Sequence, residues 1–550
     1  MIIKTISFYI ILVLSLISIS GYGIFYSKII KEKVNSENIF NYFFKGLILI
    51  TILSVLYHFL IQNNKIINVL IFLIGILIYL KNFKIKNIKF ISFLTLIFFS
   101  GILISKTHED FSVYHFQHIK ELTDGYIKFG MSNLDIRYFY SSIFSYVQTI
   151  FRFPYFDLLL INIPIYSIFI SLIGYLILEI KKNNNKNKFF YIFFLILLIF
   201  KFKRMSEFGY DYIGQFILIY LFLEYIYNDS KVRELKFKED SIIFFLYAVL
   251  IKVSNIYFLP IVIYKIINKK FYVKKLIFNY NLIITSTIFI LIFSINSLSK
   301  TGCLNYFFEF SCLSKEKYNW VIDYDSVEET KKLSKSWARG FYHQNKNNLL
   351  SEKDYNKNFK WINNWIQIHF VPKIIPYIFI LTLIFLVAKF FLGKSNKKTF
   401  QNIKIIYFIL LSNLIWLILF PQFRFGFAGI SLLFFFILSY FFKISKNYNY
   451  KNLVFIFILG LIYFNLSNLM RINKEFHRED IYKFSNFPFF ALPKLNFDQY
   501  SQNKIKYNRS KKNLNFWRTC FNSNHICINH DHMIEFESRG RILFIKKSLY

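Results

Sequence analysis

The sequence predicts an all-α polytopic membrane protein with about twelve spans, because apolar runs of about 20 residues recur from end to end. Hydrophobic residues make up 55% of the 550 positions, and 72 of them are phenylalanine. A soluble domain would interleave polar faces with these runs, and this sequence does not. Lysine concentrates in the short connections, where positive charge sets the orientation of a membrane protein.

The positive-inside rule places the lysine-rich connections in the cytoplasm and both termini on the exported side. The first apolar run also fits a signal peptide, but it is long for one, so we interpret it as a span. We expect a membrane domain over residues 1–468, with exported loops at 106–155 and 297–372, and a small exported lobe over 469–550. The predicted spans are 6–26, 41–61, 66–80, 89–105, 156–179, 189–202, 212–228, 276–296, 373–391, 404–420, 427–442 and 452–468.

The net charge of +37 would suggest a nucleic-acid partner if the protein were soluble. Here the lysines lie between apolar runs, so we predict a membrane lipid as the partner and no nucleic acid. The patterns GxxxxGK[ST], GxGxxG and HExxH are absent from the sequence. ATP hydrolysis, dinucleotide redox chemistry and zinc proteolysis therefore lose their usual sequence support.

One apolar run, 241–264, breaks the alternation of charged connections, since the lysines on both of its sides belong in the cytoplasm. A re-entrant hairpin restores the alternation, with residues 242–251 entering the membrane and 253–263 returning. Lys252 then points into a polar cavity, because non-helical backbone at that depth must line one. An unpaired ammonium in lipid costs roughly 2.5–3.5 kcal/mol or more, so Lys252 is a functional candidate. The alternative is a lysine that snorkels to the headgroups.

Polar residues crowd into the first exported loop, just after the fourth predicted span. A carboxylate there can act as general base on an acceptor hydroxyl, or can bind a divalent cation, the one cofactor we consider. The alternative is an ordinary solvated acid. The neighbouring residues favour the functional interpretation, because several lie at helical spacing from the acid. The candidates are Glu109, Asp110, Tyr114, His115 and Arg137, with Asp110 as the metal ligand if there is one.

Three more candidates lie on the predicted exported side, and two of them, Asp211 and Arg424, lie between spans. Asp211 is a second acid for the same site or a helix cap. Arg424 suits a lipid-linked phosphate, which a guanidinium grips bidentately, or anchors a headgroup. Arg339 is a weaker candidate of the same type.

The four cysteines form two close pairs in polar segments, which indicates two local disulfides in an exported part of the chain. The pairs are Cys303 with Cys312 and Cys520 with Cys527. Residues 533–545 alternate around a Ser-Arg-Gly-Arg turn, so the C-terminal lobe should contain a strand pair.

An acid after an early span, in the first large exported loop, resembles the GT-C superfamily of glycosyltransferases. Further motifs are similar to those of a family of bacterial inner-membrane proteins found with surface-polysaccharide genes. The resemblance implies a GT-C-like bundle in which Asp110 is the catalytic acid and Lys252 and Arg424 hold a lipid phosphate. The motifs are Asp110-x-x-x-Tyr114-His115, Ile251-Lys252-Val253-Ser254, Thr301-Gly302-Cys303-Leu304 with Cys312, Trp320 and Trp337-Ala338-Arg339, Trp361-Ile362-x-Asn364-Trp365 with His369, Phe420-Pro421-x-x-Arg424-Phe425-Gly426, and Cys520 and Cys527 with Arg539-Gly540.

We therefore expect a glycosyltransferase that moves a sugar from a polyprenyl-phosphate carrier to a cell-envelope glycan or lipid on the exported face of the bacterial inner membrane. A polymerase or ligase acting on polyprenyl-diphosphate-linked glycans is the first alternative. A lipid or glycan transporter is the second, although a transporter predicts a second broken helix to match the one at Lys252. The enzyme hypothesis predicts that Asp110, Asp211, Lys252 and Arg424 converge on one cavity open to lipid.

Overall fold

The computed structural model is largely helical. It describes residues 2–32, 39–82, 85–103, 114–140, 142–182, 188–201, 210–226, 235–267, 279–344, 350–392, 403–441, 450–477, 482–483, 494–495 and 534–547. The helices are α1 Ile2–Ile29, α2 Ile39–Leu60, α3 Lys65–Asn82, α4 Ile85–Ile97, α5 Phe116–Thr123, α6 Phe144–Ile150, α7 Ile163–Lys181, α8 Lys188–Lys201, α9 Asp211–Leu221, α10 Leu235–Ile251, α11 Leu259–Ile267, α12 Tyr280–Thr301, α13 Tyr324–Ala338, α14 Glu352–Tyr355, α15 Trp361–Trp365, α16 Ile375–Leu392, α17 Ile403–Leu419, α18 Phe423–Phe441 and α19 Tyr450–Phe476.

Within these described ranges, eight helical segments are long and apolar enough to cross a membrane, which makes this a multi-pass membrane protein by length and composition. They are α1, α2, α3, α12, α18, α19, Leu158–Lys181 around α7, and Trp361–Phe390, which holds α15 and α16. Every predicted span overlaps a helix, but the count of about twelve is not confirmed. Several of the remaining helices are short, and α8 has only 14 residues.

Burial separates the centre of the bundle from its periphery. In the apolar stretch of the span around α7, 94% of the residues are buried, whereas 22% are buried in those of α3 and of Lys451–Lys474 in α19. Helix α7 therefore lies inside the bundle, while α3 and α19 present most of their apolar surface outward, as lipid-facing helices do. Helix α9, which opens with Asp211, packs against α7, α10 and α18.

The chain breaks where the sequence predicted a break. Helix α10 ends at Ile251, Lys252 is extended with φ −151° and ψ 115°, and a 3-10 segment, Val253–Phe258, leads into α11. Helices α10 and α11 contact each other, and α11 also packs against α17. The helix interruption is thus present, and its re-entrant path in a membrane stays a prediction.

The predicted strand pair near the C-terminus is confirmed as β4 Ile534–Arg539 and β5 Ile542–Lys547, which pair antiparallel. Gly540 turns the chain between them with φ +60°, a conformation that favours glycine. The sequence did not predict their partner: β1, Ile127–Phe129 from the loop predicted over residues 106–155, pairs parallel with β5. The short strands β2 Tyr482–Lys483 and β3 Lys494–Leu495 form a separate pair. The C-terminal strand pair is therefore joined to the first loop. Helix α19 continues to Phe476, past the domain boundary expected at 468.

The Asn133 side chain stabilises the contact between the first loop and the C-terminal strand pair, and we expect Asn133→Ala to weaken this contact. The buried Asn133 amide donates to the Trp320 and Ile545 carbonyl oxygens, each at 2.8 Å. Losing both bonds should cost about 2 kcal/mol and speed proteolysis of the C-terminal hairpin in the purified protein. The neighbouring Ser132→Ala is the control, since the buried Ser132 hydroxyl has no hydrogen-bond partner among the described residues. Equal cleavage rates in the two variants would contradict the role given to Asn133.

Candidate functional site

Three charged side chains that are far apart in the sequence meet at the start of α9. The Lys252 Nζ lies 3.0 Å from Asp211 Oδ1, and the Arg424 Nε lies 3.2 Å from Asp211 Oδ2. Asp211 is the first residue of α9, Lys252 occupies the break after α10, and Arg424 is the second residue of α18. The structure therefore brings together three of the four residues expected to converge.

The three side chains are largely but not completely withdrawn from the surface. Their exposed fractions are 13% for Asp211, 22% for Lys252 and 29% for Arg424, so a ligand has access to the cations. Burial alone would raise the pKa of Asp211, but Lys252 and Arg424 lower this pKa below its usual range. The carboxylate is therefore ionised at neutral pH and neutralises part of the paired positive charge.

An aromatic ring completes the contact between the two cations. Both Lys252 Nζ and Arg424 Cζ lie 5.1 Å from the centroid of Phe425, and Arg424 Cζ lies 5.4 Å from that of Trp337. Rings at these distances attract cations and exclude water from one side of them. Lys252 and Arg424 thus both contact the Phe425 ring beside Asp211.

A buried amide fixes the three segments that carry these charges. The Gln215 Nε2 donates to Asn255 Oδ1 at 2.7 Å and to the Phe425 carbonyl at 2.8 Å. Its Oε1 accepts from the Tyr257 hydroxyl and from the Ala428 N–H, each at 2.9 Å. Gln215 lies one turn after Asp211 on α9, so one residue joins α9, the 3-10 segment after Lys252, and the start of α18.

Close packing allows this network to form. A Cβ at Gly214 would lie 2.0 Å from Asn255 Nδ2, so only glycine lets Asn255 reach α9. The turn before Arg424 is fixed by two indole N–H groups, because Trp365 donates to the Pro421 carbonyl at 2.6 Å and Trp416 donates to the Gln422 carbonyl at 2.9 Å. The position of Arg424 is therefore set by backbone contacts on both sides of the turn.

Further cations surround the same turn. The Lys201 Nζ lies 4.9 Å from the ring centroid of Phe423 and 5.1 Å from that of Tyr377. Lys373 is close enough to Arg424 to repel it electrostatically, and its Nζ lies 3.1 Å from His369 Nδ1. Lys201 and Lys373 therefore add positive charge around the turn that carries Arg424, and positive charge attracts anions.

The described part of the loop predicted over residues 106–155 reaches this site through aromatic contacts. The His115 ring lies 5.1 Å from that of Tyr210, the residue before Asp211, and the Tyr114 ring lies tilted beside that of His115, with centroids 4.1 Å apart. Arg137 lies farther out, with its Cζ 5.1 Å from the Tyr114 ring and a two-point ion pair to Asp135. His115 therefore adjoins the Asp211 site, and Arg137 contacts Tyr114 beside it.

A hydrogen-bonded chain extends behind Tyr210. The Tyr210 hydroxyl lies 2.8 Å from Ser145 Oγ, which lies 2.8 Å from His118 Nδ1. Ser145 Oγ also donates to the Ser142 carbonyl at 2.9 Å. Because this bond uses the only proton of Ser145, Tyr210 and His118 must both donate to its oxygen. His118 is then the neutral Nδ1–H tautomer, in agreement with burial that lowers its pKa well below the usual value.

Other predicted site residues stand as follows. Glu109 and Asp110 lie outside the described residues, so their position relative to Asp211 stays a prediction. The disulfide between Cys303 and Cys312 is present, whereas Cys520 and Cys527 also lie outside the described residues. In the part of the chain that the structure describes, no group of three or more His, Cys, Asp or Glu side chains is arranged to hold a metal ion.

Arg339 holds structure together, and we expect Arg339→Met to destabilise the protein by about 2–3 kcal/mol. Its guanidinium donates to Asn356 Oδ1 at 2.8 Å and to the Ile418 carbonyl at 3.1 Å, and lies 4.6 Å from the Trp361 ring. Arg339→Lys should recover little, since one ammonium cannot replace the planar fork. Thermal unfolding in detergent measures the loss. The exposed Lys335→Met, one turn earlier on α13, is the control. Unfolding temperatures equal to the control in both Arg339 variants would contradict this assignment.

The prediction from sequence missed Gln215, Tyr257, Lys201 and Lys373. A signal existed for Gln215, because it is the one amide inside the apolar run of α9. Lys201 and Lys373 lie at ends of apolar helices, where lysine is common in any membrane protein, so nothing marked them as neighbours of Arg424.

A comparison with protein families gives one match. The family described as a domain of unknown function (DUF8201) matches residues 1–431, which covers most of the chain and includes Asp211, Lys252 and Arg424. No curated protein and no solved structure matches the chain.

Proposed function

Because the chain belongs to the DUF8201 family, whose description assigns no activity, we propose its function from the site itself. We propose that it is a membrane glycosyltransferase whose donor is a sugar linked to polyprenyl phosphate. The observation that carries the proposal is the convergence of Lys252 and Arg424 on Asp211 from three distant segments. The acceptor is a cell-envelope glycan or lipid.

Two adjacent and partly exposed cations support a phosphate ligand. Lys252 and Arg424 share one carboxylate, and both cations retain exposed surface. A guanidinium and an ammonium side by side suit a phosphate, since each can donate to a different oxygen. Asp211 keeps the two cations together before the ligand arrives. In a multi-pass membrane protein, an anion carried on a lipid reaches such a site from the bilayer.

The proposed reaction uses each group at a stated atom. The acceptor hydroxyl oxygen attacks the anomeric carbon of the donor sugar, and the bond from that carbon to the phosphate oxygen breaks. The electron pair leaves with the polyprenyl phosphate, whose added charge Lys252 and Arg424 stabilise. Asp110 takes the hydroxyl proton as general base or positions a divalent cation. His115, beside Tyr210, shapes the acceptor side.

The proposal includes a location and an architecture. The protein lies in the bacterial inner membrane, in a GT-C-like bundle of about twelve spans, with both termini and the acceptor on the exported face. Its support is the sequence resemblance together with the apolar helices. Its partners are membrane lipid and the polyprenyl-phosphate-linked donor.

Sugar transfer in isolated membranes tests the proposal. Membranes containing the protein are given radiolabelled sugars on polyprenyl phosphate, and label in glycan and lipid products is measured. We expect transfer with the wild type, and none from nucleotide sugars once endogenous polyprenyl phosphate has been depleted. Asp110→Asn should lose transfer, and full activity in that variant would remove Asp110 from the mechanism. Failure of every polyprenyl-phosphate sugar, with the protein folded, would overturn the proposal.

A further inference from the structure

The disulfide between Cys303 and Cys312 closes a loop with an unusually apolar tip. The loop reads CLNYFFEFSC, and its exposed fractions are 51% for Leu304, 39% for Phe307, 51% for Phe308 and 88% for Phe310. Large apolar side chains left together at a surface mark an interaction site. Backbone hydrogen bonds at its neck, from Leu304 N–H to the Ser311 carbonyl at 3.0 Å among them, hold the loop as a compact unit.

The loop folds back along the helix that precedes it. Helix α12 ends at Thr301, yet the Tyr306 N–H lies 3.3 Å from Ser297 Oγ, and the Tyr306 ring lies 6.0 Å from Phe293. Because α12 rises 1.5 Å per residue, the loop returns by roughly 6–12 Å toward the membrane-spanning part of α12. Tyr306 is buried against the protein, so it anchors the loop while the phenylalanines face outward.

The loop directly follows α12, a candidate membrane span. Helix α12 also presents apolar side chains outward, with Ile290, Leu291 and Ile295 65%, 54% and 40% exposed. The exposed phenylalanines therefore lie close to the end of an apolar helix that can cross a membrane.

We propose that this disulfide-closed loop is a membrane-interface anchor. Phe308 and Phe310 insert between the lipid headgroups of the leaflet next to the end of α12. The exposed Glu309 between them keeps the insertion at headgroup depth, because a carboxylate does not enter the hydrocarbon. The lipid bilayer is thus the partner of this surface. The proposal stands apart from the catalytic proposal.

Fluorescence quenching by brominated lipid tests the anchor. The full-length protein carrying Phe310→Trp is placed in nanodiscs of phosphatidylcholine with bromine at different acyl positions. Fluorescence of the six native tryptophans is subtracted using the wild type. We expect loss of the added emission, strongest with bromine at the acyl positions nearest the headgroups, as for side chains at the interface. Glu329→Trp, on the exposed polar face of α13, is the control and should keep its emission.

Phe308→Trp is a second probe in case Phe310→Trp does not fold, and it should show the same loss. Emission as insensitive as that of Glu329→Trp at both positions would overturn the proposal. Emission that changes only with the protein-to-lipid ratio would also overturn it, because the tip would then contact another copy of the chain.

Discussion

Replacing Lys252 with methionine is expected to lower the rate of sugar transfer about 100- to 1,000-fold, the usual loss when one group that stabilises developing charge is removed. Methionine keeps an unbranched apolar stem against Phe425 but has no ammonium for the departing phosphate. The folded state should change little, since Asp211 keeps Arg424 as its ion-pair partner. Initial rates of transfer in proteoliposomes measure the first effect, and thermal unfolding in detergent measures the second.

Lys182→Met is the matched control, because Lys182 also forms an ion pair, with Glu179, at the far end of a membrane helix from the site. We expect wild-type transfer from this variant. Wild-type transfer from a folded Lys252→Met protein would remove Lys252 from the mechanism.

Replacing Gln215 with leucine is expected to produce the largest loss of stability, about 3 kcal/mol or more, because each buried polar group left without its partner costs about 1–3 kcal/mol. Leucine fills similar space but removes the donor to the Asn255 amide oxygen and the acceptor of the Tyr257 hydroxyl. The thermal unfolding temperature in detergent should fall markedly. Since Gln215 joins the segments that carry Lys252 and Arg424, transfer should fall with it.

Two further variants serve as comparisons for this loss of stability. Tyr257→Phe removes only the hydroxyl that donates to Gln215 and accepts from the Gly429 N–H, so its effect should be intermediate. Ser167→Ala on the neighbouring helix α7 should have little effect, because the buried Ser167 hydroxyl has no partner among the described residues. An unfolding temperature for Gln215→Leu equal to that of Ser167→Ala would contradict the structural role of the network.

Sequence reasoning located the main charged residues because charge near a membrane is costly. Lys252 interrupts an apolar run that the charge pattern could not explain as a single span. Asp211 precedes one apolar run and Arg424 lies between two others, which places both at helix ends. The helix interruption at Lys252, the Cys303–Cys312 disulfide and the C-terminal strand pair are all present in the structure.

Other features depend on contacts that no local pattern encodes. Gln215 bonds to Asn255 and to the Phe425 carbonyl across separations in sequence of 40 and 210 residues. The pairing of β1 with β5 joins the first loop to the chain end, and a three-residue strand gives almost no periodic signal. The number of spans was hard to predict for a related reason: short apolar helices such as α8 have the composition of a span without its length.

Binding of polyprenyl phosphate, compared with the uncharged polyprenol of the same chain length, tests the central claim most directly. The wild-type protein in nanodiscs should bind the phosphate tighter than the alcohol by about tenfold or more, the value of one hydrogen bond to a charged group. This preference should disappear in Arg424→Met, while binding of the alcohol stays unchanged. Equal affinity of the wild type for the two lipids would contradict the assignment of Lys252 and Arg424 as the phosphate site.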